Sequence, residues 1–252
     1  MTTEPHRFSI RLPRPAWIGA GTAVLIVAAI VLRFGIPLYR ERTAIHEIER
    51  VGGVVETVPG GPAWLRRWIG DECMRVFDQP YSVRLSDTGA TDADLVHLEW
   101  LPSAEFVDLS GTAVTDGGLA RLHSLPRLDA VWLIQTRIGD AGLECLKPIL
   151  PRFTVLYLDE TAVTDAGLGH LRGATHLECL SLIGTSVTDA GMSHIRGLTR
   201  LRTLRITATD VTDSGLEDLR GLVDLQYLYY DQQHITPTGF ERLKAALPRL
   251  ER

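Results

Sequence analysis

Cysteine is scarce in this chain: Cys73, Cys145 and Cys179 are too few and too scattered across 252 residues to form a disulfide framework. Positive charge is not in excess either, with 26 Lys and Arg against 31 Asp and Glu, so no bulk field draws the chain to nucleic acid. Aromatics make up 7% of residues, and a local cluster of them is therefore informative. At 45% hydrophobic with 23 Gly and 13 Pro, the composition excludes a disordered or collagenous polymer. Long apolar runs are confined to one place. Trp17 to Leu32 is uncharged and spans about 24 Å as a helix, or about 34 Å when continued to Tyr39. Arg33 lies near enough to one end to snorkel, and Trp17 and Tyr39 suit the two interfaces.

This pattern predicts a basic leader over 1–16 and a transmembrane helix over 17–39. A stalk and capping segment follows over 40–80, and a repeat domain over 81–252. A cleaved signal shares the basic and apolar features but would need a small-residue cleavage site. Arginines stand on both sides of the span, at 7, 11 and 14 and at 33, 40 and 42; the short polar leader favours an N-terminus in the cytoplasm and the repeats outside. Residues 1–50 hold seven Arg and four Glu, a charge of +3, so the net −5 leaves −8 for the remainder. A basic, apolar start precedes an acidic body.

In that body one phrase recurs: Thr115-Asp116-Gly117-Gly118-Leu119, Thr164-Asp165-Ala166-Gly167-Leu168, Thr188-Asp189-Ala190-Gly191-Met192 and Thr212-Asp213-Ser214-Gly215-Leu216. Variants begin at Thr91, Gly139 and Thr236, and successive starts differ by 24, 24, 25, 24, 24 and 24 residues. Between them lies L-x-x-L-x-L-x-x-T-x-V, as in Leu177 to Val187 and Leu201 to Val211. Leucines two apart predict a strand with one face buried, and Thr-Asp followed by apolar residues at helical spacing predicts a capped helix. Each Asp is expected at the start of its own helix. Thr112, Thr136, Thr161, Thr185 and Thr209 form a further column, expected to bond backbone of an adjacent turn. The extra residue in the third unit, Leu146 to Phe153, predicts a longer helix end, repeated at Leu243 to Leu250. A unit this short buries its apolar faces only by stacking on copies of itself.

These phrases resemble the leucine-rich repeat, in a short bacterial variant similar to the cysteine-containing and ribonuclease-inhibitor-like subfamilies. With the tether and the segment EIERVGGVVETVPGGPAWLRRWIGDE, the chain resembles bacterial membrane-anchored leucine-rich-repeat proteins. The resemblance implies an α/β, right-handed solenoid with a parallel sheet on the concave face and helices on the convex face. It implies recognition by a surface and no defined chemistry. Before the repeats, Trp64, Leu65, Trp68 and Ile69 share one helical face, expected to seal the N-terminal end.

Strand residues that alternate with buried ones face outward. They form a middle column, Arg84, Asp108, Trp132, Tyr157, Ser181, Arg205 and Tyr229, beside a column that includes Phe106 and Tyr227. Tryptophan, tyrosine and arginine dominate binding hot spots, which makes Phe106, Asp108, Trp132, Tyr157, Arg205, Tyr227 and Tyr229 the candidate contact residues for a protein or peptide. Catalytic readings find no constellation: His46-Glu47 is followed by Arg50 where a zinc-protease helix needs histidine, and Gly19-Ala-Gly21 lies in the apolar run. The repeated aspartates are too regularly spaced to converge on calcium, and no cofactor or metal site is expected. Two other roles fit the same features: a cell-envelope protein that self-associates at the C-terminal edge, and a glycan-binding protein that uses the aromatic face.

Overall fold

The computed structural model describes residues 31–251 and, ahead of them, Leu25, Ala28 and Ala29. The chain divides into two compact units, Met1–Arg42 and Thr43–Arg252. In the first, Val31–Gly35 is π-helical, and Leu32 and Tyr39 are exposed. Among the described residues no helix is long and apolar enough to cross a membrane. The leader over 1–16 and residues 17–24, 26, 27 and 30 of the expected span lie outside the described residues.

The second unit is one eight-stranded sheet with strands in chain order. From Thr43 on, helix α1 (Ile36–Arg50) belongs to this unit and runs to a turn, after which β1 (Val54–Val58) pairs antiparallel with β2 (Gln79–Arg84). Short helices α2 (Ala63–Ile69) and α3 (Asp71–Met74) lie between them. From β2 onward every pairing is parallel: β3 (Phe106–Asp108), β4 (Ala130–Trp132), β5 (Val155–Tyr157), β6 (Cys179–Ser181), β7 (Thr203–Arg205) and β8 (Tyr227–Tyr229). The first two returns are 3-10 segments, Asp94–Trp100 and Gly118–Ser124. Later ones contain α4 (Asp140–Leu146), α5 (Asp165–Leu168), α6 (Asp189–Ile195), α7 (Asp213–Leu216) and α8 (Pro237–Ala246). The strand-centre column Val83, Val107, Val131, Leu156, Leu180 and Leu204 is fully buried, and so are the helix leucines Leu119, Leu143, Leu168 and Leu171 that oppose it. Period two on one side and helical spacing on the other build one core along the stack.

The N-terminal seal differs from the expectation. Trp64 and Trp68 are 68% and 81% exposed, and α2 buries no residue at all. The core is closed instead by Ala44 and Ile48 of α1, both buried, with β1 extending the sheet. From Thr43 on, the expected stalk is thus part of the packed unit. Gly52, at φ +93°, ends α1, and a Cβ on Gly53 would meet Ile48 Cγ2 at 2.8 Å and Leu85 Cδ2 at 2.7 Å; the glycine pair lets the helix end close on the first strands.

The extra residue of the third unit also acts differently. α4 stops at Leu146, and a separate 3-10 turn, Leu150–Arg152, carries Pro151 and leads into buried Phe153. Pro148, where the last unit has Ala245, cannot extend the helix and disfavours helical backbone at Lys147. In the last unit the expected longer helix does form, as α8, whose Phe240 and Leu243 are buried.

After each strand from β2 to β7 the backbone enters the left-handed region at one register: Asp87, Gly111, Gln135, Glu160, Gly184 and Ala208 all have φ between 53° and 66°. Only two of the six are glycine. Ala208 has no side-chain polar group to compensate an αL conformation that costs about 1 kcal/mol or more. Ala208→Gly is therefore expected to raise the unfolding free energy by about 1 kcal/mol, whereas Ala190→Gly, on the exposed face of α6, is expected to lower it by a similar amount. Urea unfolding of the two variants checks both signs.

Candidate functional site

The register aligns Arg84, Asp108, Trp132, Tyr157, Ser181, Arg205 and Tyr229 in one row across the sheet, with Phe106 and Tyr227 in the row beside it. Trp132 and Tyr157 stack with ring centroids 5.2 Å apart and planes within 5°, while Phe106 meets Trp132 at 4.9 Å and 78°. The Arg84 guanidinium lies 5.8 Å from the Phe106 centroid. Arg205 lies 5.5 Å from Tyr157 and 5.2 Å from Tyr229, within cation–π range of both. The result is a continuous run of cation, ring, ring, ring, cation, ring from β2 to β8.

Tyr157 and Arg205 sit two strands apart, about 9.6 Å at normal strand spacing, and they meet only by leaning over Ser181 between them. That is why Ser181 is fully buried and its hydroxyl has no hydrogen-bond partner. Arg205 Nε is likewise buried without a partner. Burial, and then the Cys179 thiol 3.6 Å from its oxygen, push the Tyr157 phenol up to about 12. The ring is therefore a neutral contact surface at physiological pH.

Asp108 is corrected as a contact residue. It is 4% exposed, and its Oδ1 accepts the Ser110 N–H at 2.9 Å, so it shapes its own turn. Tyr227 and Tyr229 are exposed, at 40% and 48%, and Phe106, Trp132, Tyr157 and Arg205 are half-buried. One participant was not foreseen: Glu56 of β1 accepts a hydrogen bond from Tyr81 at 2.7 Å and pairs with Arg84 at 3.1 Å. Four of the five residues of Val54-Val-Glu-Thr-Val58 are β-branched, and that composition is the signal that reveals this strand.

The Thr-Asp-x-Gly phrase joins neighbouring repeats. Asp165 accepts the Thr188 N–H at 2.8 Å and the Thr188 hydroxyl at 2.7 Å. The same pair of bonds runs from Thr115 to Asp92, Thr164 to Asp140, Thr212 to Asp189 and Thr236 to Asp213. Asp140, Asp165, Asp189 and Asp213 do begin their own helices, as expected, but the hydrogen bonds of all these carboxylates go to the following repeat. Capping falls to the threonines: Thr164, Thr188 and Thr212 accept from the backbone N–H two residues on. The glycine is explained as well, since a Cβ on Gly142 or Gly215 would meet the preceding repeat's Asp Oδ1 at 2.5 Å. In the first copy the glycine position is Asp94, which supplies the carboxylate to Thr91 itself, at 2.8 Å from both its N–H and its hydroxyl. The other threonine column bonds within its own turn. Thr112, Thr136, Thr161, Thr185 and Thr209 each donate to the carbonyl three residues back, at 2.6 to 2.7 Å.

One strand per period, a parallel sheet and a locked return define the architecture. The fold is a leucine-rich-repeat solenoid. Among solved structures it is similar to an internalin (inlF) of Listeria monocytogenes, at 22% identity and TM-score 0.56 over 68% of this chain, a match that spans only 46% of that one. It is similar also to internalin C2 (inlC2) of the same organism, at 22% identity and TM-score 0.53 over 68% of this chain and 78% of that one. No family model matches the chain, and no curated protein matches it.

On the helical side of the solenoid, His123 Nε2 lies 2.8 Å from the Cys145 carbonyl oxygen, and Arg172 donates to His194 Nδ1 at 2.6 Å. No group of three or more His, Cys, Asp or Glu among the described residues is placed to hold a metal ion. Burial pushes the Cys145 and Cys179 thiols up, away from the thiolate that a nucleophile or ligand requires. All three cysteines are unpaired thiols.

Proposed function

We propose that the solenoid is a protein-interaction module whose open sheet face docks a protein or peptide, held at a membrane by residues 17–39 with the N-terminus in the cytoplasm and the repeats on the other side. The observation that carries the docking reading is the unbroken row Arg84, Phe106, Trp132, Tyr157, Arg205 and Tyr229. These are the side-chain types that supply most binding energy where they cluster at a patch centre. Their mutual stacking holds them in place before a partner arrives, which reduces the ordering cost of association. Asp108 and Ser181 are buried members of the same register row. Tyr227 and Tyr229 extend it to the last strand. The reading includes no catalysis and no cofactor.

A glycan partner is less well served. Sugars stack on open aromatic faces, and Trp132 and Tyr157 each give one face to the other. Self-association would use β8, where Leu228 is only partly buried against the core.

Proximity labelling in the native membrane with the full chain tests the proposal. Trp132→Ala with Tyr157→Ala is expected to remove the protein labelled by wild type, while Arg121→Ala on the helical side leaves it. The stacked pair is half-buried, so the double variant should also lose about 1–2 kcal/mol of stability, to be checked by thermal melting. Unchanged labelling by a folded double variant refutes the docking face. A wild-type mass that doubles with concentration in detergent, and does so through β8, favours self-association instead.

A further inference from the structure

We infer that α2 is a second membrane contact, an interfacial helix that lays Trp64, Arg67 and Trp68 into the boundary between lipid headgroups and acyl chains. The inference rests on the proposed tether over 17–39 and adds a surface of the packed unit to it.

The exposed apolar residues of this unit are not spread evenly. Val54, Val58, Trp64, Trp68, Ile69 and Phe77 fall within one stretch, against Val223, Tyr227 and Tyr229 in all the repeats. Isolated exposed side chains are ordinary, but two tryptophans at 68% and 81% exposure, four residues apart on one short helix, are a patch that solvent alone does not favour. The orientation is fixed by charge. Arg66 turns inward, donating to the Gly60 carbonyl at 3.0 Å and to Asp71 at 3.2 Å, and it pairs with Asp78. Buried Met74 closes the segment against Gly61, where a Cβ would meet its Cε at 2.6 Å. With the inward face clamped by Arg66, the residues at i, i+3 and i+4, namely Trp64, Arg67 and Trp68, look outward together.

That face has the chemistry of a membrane interface. Indole rings prefer the headgroup level, and Arg67, which has no ion pair among the described residues, can reach a lipid phosphate while its stem stays among apolar groups. A second copy fits less well. A two-fold contact through this patch would set Arg67 near its own symmetry mate, like charge against like. Only residues 40–62 separate Tyr39 from α2, so the tether keeps the local lipid concentration high.

The test uses the full chain in phosphatidylcholine vesicles, with and without phosphatidylglycerol, whose acyl chains are brominated near the headgroup. Trp64→Ser with Trp68→Ser should lose a clear share of the tryptophan quenching seen in wild type, with an unchanged melting temperature because neither ring is buried. Arg67→Glu should weaken the contact several-fold, mainly on the phosphatidylglycerol vesicles. Trp17 contributes equally to all variants, so the difference isolates α2. Alkaline carbonate extraction reads the tether separately. If the chain resists extraction but wild type and double variant quench alike, the α2 contact is wrong and the tether stands. If the chain is extracted, the tether fails, and vesicle co-sedimentation decides α2: dependence on Trp64 and Trp68 upholds the contact and independence overturns it. A wild-type dimer in detergent that the double variant abolishes assigns the patch to a second copy and overturns the lipid reading.

Discussion

Gly191→Ala is expected to cost about 2 kcal/mol, because the new methyl must displace Asp165 Oδ1 from a packed repeat junction. It would also press on Leu168 Cδ1 and Val187 Cγ1, each 3.0 Å away. Asp165→Ala should cost about as much, since it removes the acceptor of two charge-assisted bonds from Thr188. The informative quantity is their coupling. Once the carboxylate is gone the methyl has room, so the double variant should fall short of the sum by about 1 kcal/mol. Asp165→Ala combined with Gly239→Ala, at a different junction, should be additive. Chemical denaturation of wild type, these four variants and Gly239→Ala alone measures both cycles, and simple additivity within one junction would falsify the interlock. A broken lock at a central junction should also broaden the transition, because a solenoid is held together only by contacts between neighbours.

Ile48→Ala is the second large effect expected, a loss of about 3 kcal/mol, as for other fully buried isoleucines. Ile48 is 1% exposed and sits at the end of the core beside Leu85 and Gly53. The loss should be visible as faster amide exchange in β1 and β2 before the later repeats are affected, since terminal repeats of a stack are free to open locally. Trp68→Ala, by contrast, should leave unfolding in solution unchanged. If the two variants behave the other way round, the cap is α2 and not α1.

That inversion shows where sequence reasoning loses its grip. Period and register were legible because they repeat: the row from Arg84 to Tyr229 follows from counting 24 or 25 residues, and the parallel pairing places each member as counted. The caps occur once. A face with Trp64, Leu65, Trp68 and Ile69 reads as apolar and therefore inward, while Ala44 and Ile48, set among charged residues, read as a stalk. What decides between them is the ion clamp of Arg66, which depends on Gly60, Asp71 and Asp78 meeting in space.

The aspartates give a subtler case. A carboxylate after threonine at a helix start is a sound capping signal, yet the same atoms serve the next repeat better, offering one acceptor to an N–H and another to a hydroxyl. The glycine three residues after each threonine carried the missing information, for it makes sense only if something from outside the helix needs the space. At the candidate site, the aromatic identities were visible in the sequence. The burial of Asp108 and Ser181 was not, because it results from large neighbours leaning across small ones.

The interlock has a genetic consequence. Because the junctions between Asp92 and Thr115, Asp140 and Thr164, Asp165 and Thr188, Asp189 and Thr212, and Asp213 and Thr236 use the same donors and acceptors, unequal crossing-over between two periods leaves a matched joint wherever it falls. Each duplication adds about 4.8 Å of sheet and one more row position. The exception is Gly139, which offers Asp116 only its N–H, at 2.8 Å. A recombinant that duplicates this unit inherits a joint without the hydroxyl bond, so lineages that lengthen or shorten the face should do so away from it.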